Sequence, residues 1–164
     1  MTNVADLISK ARLVLGDETT ITAAGVLGLQ DNYAAILVAG LAADAVVGDA
    51  VGSPLISGVA GAVSTHAARD VNAQAHGVTS RMLVAVSPET IHLLGLPATG
   101  STPNRELLHL SRATTTCSVK KMGLSRRIHL SDSATGTEIG MTGSMAPFSA
   151  YTAGTKSVLS ELAA

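Results

Sequence analysis

The side chains with the clearest chemical potential are five cations close together in the chain: Arg112, Lys120, Lys121, Arg126 and Arg127. Lys120-Lys121 and Arg126-Arg127 flank the four residues MGLS. If the flanks are strands and MGLS is their turn, all four charges meet at one hairpin. Several cations converging on a tip can hold phosphate or carboxylate oxygens through charge-assisted hydrogen bonds, or rest on an anionic membrane surface. The plainer alternative is a solvated hairpin that keeps an apolar protein in solution. Nucleic acid is a poor fit, because the net charge is −1 and only 2% of residues are aromatic, leaving few platforms for base stacking.

The histidines come next. His92, His109 and His129 each stand between an apolar residue and a leucine. Three imidazoles meeting on one face could hold zinc. Strand alternation turns each away from its flanking leucines, toward the more exposed face, and ordinary strand histidines are expected. His66 and His76 fall at a helix end and in a loop. Cys117 is the only cysteine; it permits no internal disulfide, and in a threonine-rich strand no helix N-terminus lowers its pKa. It reads as a structural thiol. Asp44 and Asp49 could be surface acids, a helix cap, or a proton-sensitive pair in an apolar interface. No G-x-S-x-G, G-x-x-x-x-G-K-[ST] or G-x-G-x-x-G motif occurs, so neither a nucleophile elbow nor a nucleotide site is signalled. No enzyme, metal or cofactor is expected.

The elements that must position these residues are legible in outline. Val4, Leu7, Ile8, Ala11, Val14 and Leu15 recur at helical spacing. Asn3 is placed to cap that helix and Gly16 to end it. Residues 17–32 are short, glycine-broken and bounded by acids, with an extended stretch possible at 19–23. MLVAVS (82–87) and TIHLLGL (90–96), split by Pro88-Glu89, read as a hairpin. ELLHLS (106–111), TTTCSVKK (114–121), SRRIHLS (125–131) and TEIGMTG (137–143) read as further strands. Their short separators predict an antiparallel meander. Phe148, Tyr151, Val158, Leu159 and Leu162 then lie at helical spacing, with Pro147 acceptable in the first turn.

Between these parts, residues 33–68 carry only Asp44 and Asp49 as charges. Gly48 and Gly52, then Ser57 and Gly61, repeat small residues four apart, a spacing that lets helix backbones approach closely. Pro54 divides the stretch into two short helices, about 33–48 and 54–72. Neither apolar run reaches the roughly 18–20 residues of a spanning helix. A buried hairpin or oligomer core is the simplest reading, with shallow membrane association as the alternative. Overall, 46% of residues are hydrophobic and 14% charged, against about a quarter charged in typical soluble domains. Such a chain gains stability by self-association. Residues 1–80 hold three Lys/Arg against seven Asp/Glu, and residues 81–164 hold eight against five. The positive second half therefore faces an acidic partner, which could be the first half itself. The N-terminus has no signal-peptide pattern, so a cytoplasmic protein is expected, with a peripheral position at the membrane as the alternative.

The opening hairpin MLVAVSPETIHLLGL, the strands SRRIHLS and TEIGMTG and the terminal amphipathic helix resemble a bacterial pleckstrin-homology-like domain over about half the chain. That resemblance implies a strongly bent sheet, a single helix plugging one end, and a binding or scaffolding role without catalysis. Six strands are counted where that fold has seven. The expected fold is α+β: a Gly/Ala-rich helical region (1–76), then an antiparallel bent sheet or partial barrel capped by a C-terminal helix (77–164). The expected function is a non-enzymatic scaffold. It would self-associate through Gly48, Gly52, Ser57 and Gly61 and bind an acidic protein or anionic surface through the cations. The rivals are an oligomeric carrier of a lipid or quinone, and an enzyme using the strand histidines.

Overall fold

The computed structural model describes residues 3–30, 81–97 and 100–163. Helix α1 (Val4–Leu15) starts where the Asn3 side chain accepts from the Ala5 N–H and ends at Gly16, whose φ of 92° suits glycine. Seven strands follow: β1 (Ala23–Leu29), β2 (Arg81–Val86), β3 (Thr90–Gly95), β4 (Arg105–Ser111), β5 (Thr115–Met122), β6 (Ser125–Asp132) and β7 (Thr137–Ser144). Helix α2 (Thr152–Leu162) comes last. All strand pairs are antiparallel, in the order β4-β3-β2-β1-β7-β6-β5.

This order corrects the expected partial barrel. Among the described residues the sheet ends on β4 at one side and β5 at the other, with no ladder between them. It is an open seven-stranded antiparallel sheet, so the pleckstrin-homology-like fold does not hold. No spanning element supports the membrane-associated reading: among the described residues no helix is long and apolar enough to cross a membrane, and the sheet is not a closed barrel. The self-association residues Gly48, Gly52, Ser57 and Gly61, together with Asp44, Asp49, His66, His76 and the two helices expected at 33–72, lie outside the described residues.

Strand β1 was not foreseen at its true place. It runs seven residues, AAGVLGL, and occupies the centre of the sheet between β2 and β7. Its first five residues are buried, because both of its faces are covered. One face packs on α2: Ala23 and Leu27 join Met82, Val84, Ile91, Leu93, Ile128, Leu130, Ile139, Met141 and Val158. The other packs on α1: Ala24 and Val26 join Leu7, Ala11, Leu83, Ala85 and Leu94. Burial of these aliphatic side chains, each contributing about 1.5–3 kcal/mol when complete, drives the assembly.

Small residues set how closely α2 lies on the sheet. A Cβ at Gly25 would stand 2.5 Å from the Gly154 carbonyl oxygen, and one at Gly143 would stand 2.4 Å from Thr155 Cγ2. The helix thus rides directly on β1 and β7. It begins at Thr152, later than the apolar spacing suggests. Phe148 belongs instead to a turn in which the Ser149 N–H donates to the Ala146 carbonyl, and its ring is 96% exposed.

Candidate functional site

Strands β5 and β6 pair without interruption over eight register positions, from Thr115↔Asp132 to Met122↔Ser125. The turn between them is two residues, Gly123-Leu124. Gly123 has φ 56° and among the described residues no non-glycine residue has positive φ, which fits a turn with glycine at its first central position and a right-handed strand twist. That short turn fixes the register, and the register fixes the charges. Lys120 lies opposite Arg127, and Lys121 opposite Arg126.

The four cations divide between the two faces of the sheet. Register continues from Arg127 to Thr142 and on to Gly28, which has the parity of Ala24 and Val26 on the α1 side. Lys120 and Arg127 therefore share the α1 side of the sheet. Lys121 and Arg126 share the α2 side with Gly143. Neighbouring strands lie about 4.8 Å apart, so each face carries a close like-charged pair. Among the described residues none of the four meets a carboxylate. Lys120, Lys121 and Arg127 are exposed, while Arg126 is half-buried and donates to the Ser125 carbonyl. Like charges this close destabilise the hairpin unless an anion offsets them.

The tip between the cations is apolar. Met122 is 48% and Leu124 66% exposed. The Met145 N–H donates to the Leu124 carbonyl at 2.8 Å, so the turn carrying Phe148 begins beside the tip. Beyond the hairpin the α1 side of this wing is polar: Thr116, Ser118, His129, Ser131, Glu138 and Thr142. Helix α1 covers the opposite wing, over β1, β2 and β3.

Arg112 does not join the cluster. It follows β4, and its guanidinium donates to the Ser87 carbonyl at 3.2 Å, to Glu161 Oε1 at 3.1 Å and to the Glu161 carbonyl at 2.9 Å. It fastens the end of α2 to the β2–β3 turn. The groove beside it, about 720 Å³, is lined by Pro88, Glu89, Ser111, Arg112, Ala113 and Glu161. Two carboxylates there leave no anion site.

The histidines separate as well. His92 and His109 are register partners on β3 and β4. Both Nδ1 atoms face Glu106 Oε1, at 2.7 Å from His92 and 3.9 Å from His109. His129 sits on the far wing, 3.8 Å from Glu138. Among the described residues no group of three metal-ligating side chains could hold a metal ion. Cys117 lies on the edge strand β5 opposite Leu130, and burial raises its pKa, which keeps the thiol protonated and unreactive.

One buried charge escaped the sequence reading. Asp132, at the end of β6, accepts from the hydroxyls of Thr114 and Thr135 and from the Ala134 and Thr135 N–H groups. The two threonine hydroxyls, followed by the backbone donors, hold its pKa below the ordinary carboxylate value against the opposing effect of burial. It ties the β6–β7 turn to the β4–β5 turn and is structural. Its signal in the sequence is the acid opening a Ser/Thr/Gly turn, DSATG.

Compared with protein families, with curated proteins and with solved structures, the chain matches none.

Proposed function

We propose that this protein is a non-enzymatic binding module that docks an acidic protein partner on the β5–β6 hairpin. The observation that carries the reading is the pairing of Lys120 with Arg127 and of Lys121 with Arg126, with no carboxylate neighbour among the described residues. A carboxylate-bearing surface laid on the α1 side would relieve the contact between Lys120 and Arg127. Exposed Met122 and Leu124 supply apolar area at the centre of the same surface. That arrangement of an apolar centre within a polar rim suits a protein interface.

An acidic peptide offers the test. Each exposed ion pair contributes up to about 1 kcal/mol, so reversing two cations in Lys120→Glu/Arg127→Glu should weaken binding by about twentyfold or more. Raising the salt toward 1 M, where the Debye length is about 3 Å, should weaken the wild type similarly. Binding insensitive to both changes refutes the assignment.

A further inference from the structure

The partner's mode of attachment is also written in the sheet. We propose that the free edge of β5 takes up an extended acidic segment of another protein as an eighth strand; this rests on the acidic-partner reading above.

The two edges of the sheet differ. On the β4 side the register with β3 shifts between Leu93 and Leu94, an irregularity that bends an edge away from further pairing. The β5 side has no such protection. Its eight residues, TTCSVKKM, contain no proline and pair with β6 in unbroken register. Among the described residues nothing pairs with its outer side. Alternate residues of β5 therefore present backbone N–H and C=O groups outward, and main-chain pairing to such a row is a recurrent mode of peptide recognition.

Side chains select the occupant. An added strand brings its residues within about 5 Å of their β5 neighbours on the same face. On the α2 side it meets Cys117, Val119 and Lys121, and on the α1 side Ser118 and Lys120. Val119 is 48% exposed although its neighbour Ile128 is fully buried, so an apolar residue set beside it would continue the core outward. Carboxylates would meet Lys120 and Lys121. A second copy of β5 would add its own lysines to this edge, the device by which proteins discourage edge-to-edge pairing. The complement is a segment of about eight residues that alternates acidic and apolar side chains.

The full chain should be titrated with two fluorescent peptides. One is an eight-residue alternation of valine and glutamate; the other has the same sequence N-methylated at every backbone amide, which removes the peptide's strand hydrogen-bond donors and keeps the charges. Amide hydrogen exchange across β5 is followed in parallel. The expected result is binding of the first peptide, at least tenfold weaker binding of the second, and at least tenfold slower exchange at alternate β5 amides. Lys120→Glu/Lys121→Glu should abolish both effects. If both peptides bind equally, β5 exchange is unchanged and charge reversal still abolishes binding, strand addition is overturned while acidic docking stands. If neither peptide binds, both readings fall. If the outward β5 amides are already slow without peptide, the edge is covered by this chain or by a second copy, and the proposal is overturned.

Discussion

Replacing Gly25 with alanine tests the packing on which the whole sheet depends. The new Cβ would stand 2.5 Å from the Gly154 carbonyl oxygen, 2.6 Å from its carbonyl carbon and 3.0 Å from Val158 Cγ2. An ordinary carbon–oxygen contact needs about 3.4 Å, so α2 must retreat by roughly 0.9 Å along this line. The obstacle is backbone on both sides, and no rotamer change relieves it. A gap of that size forfeits a quarter to a half of the dispersion energy of the contacts beneath the helix. Overpacking of this kind costs about 1–3 kcal/mol, occasionally more. Alanine returns about 0.4–1 kcal/mol by restricting the unfolded chain. The net expectation is a loss of about 1.3 kcal/mol, read as a fall of about 0.6 M in the urea midpoint for a slope near 2 kcal/mol/M. The slope itself should not change. A midpoint within about 0.2 M of wild type would show that α2 does not ride on β1 as closely as described.

Two further perturbations address features away from the hairpin. Arg112→Met keeps the aliphatic stem and removes three hydrogen bonds that hold the end of α2. A loss of about 2 kcal/mol is expected, with faster amide exchange in the last turn of α2 and unchanged binding of acidic peptide. Asp132→Asn should destabilise the protein by about 1–3 kcal/mol at pH 7, since one amide end faces donors from Thr135. The folded-state pKa of Asp132 is lowered, so its contribution is present above the unfolded value of about 3.9 and is lost as pH falls through the folded value. Urea midpoints of the two proteins should therefore converge below about pH 4; a gap that stays constant down to pH 2 would contradict the assignment.

Much of the hairpin was legible in the sequence because local rules govern it. The sequence places the turn at MGLS; the structure narrows it to Gly123-Leu124, and that two-residue turn fixes the register, which in turn divides the cations between the two faces. Arg112 was grouped with them because it is near in sequence. Strand order separates it, since β4 and β5 are consecutive in the chain yet lie at opposite edges of the sheet. Strand β1 was missed for another reason. A strand covered on both faces shows no alternation, and AAGVLGL reads as a glycine-broken loop when its Gly25 is in fact where α2 comes close. The start of α2 was misplaced because Phe148, the most apolar residue near it, was counted toward the helix stripe. The residues that face the sheet there are Thr152, Gly154 and Thr155, whose small size is the point.

The meeting of β1 with β7 has a kinetic consequence. Among the described residues, the two wings of the sheet, β4-β3-β2-β1 and β7-β6-β5, are joined at the register pairs Gly28↔Thr142 and Leu29↔Met141 and by the Gln30 N–H donating to the Gly140 carbonyl. The accompanying side-chain bond from Gln30 to Thr142 closes a separation of 112 residues. The pairings within β2-β3-β4 and within β5-β6-β7 join strands consecutive in sequence, and such hairpins form in about 1–10 μs, whereas β1 must wait for long loops to close on both sides, to β2 (Ala23↔Val86) and to β7 (Gly28↔Thr142). The β2-β3-β4 and β5-β6-β7 units are thus early, local structures, and the pairings made by β1, the seam included, are late ones. Substitutions at Gly28, Leu29 or Met141 should leave the unfolding limb of a chevron plot steeper in its response than the folding limb.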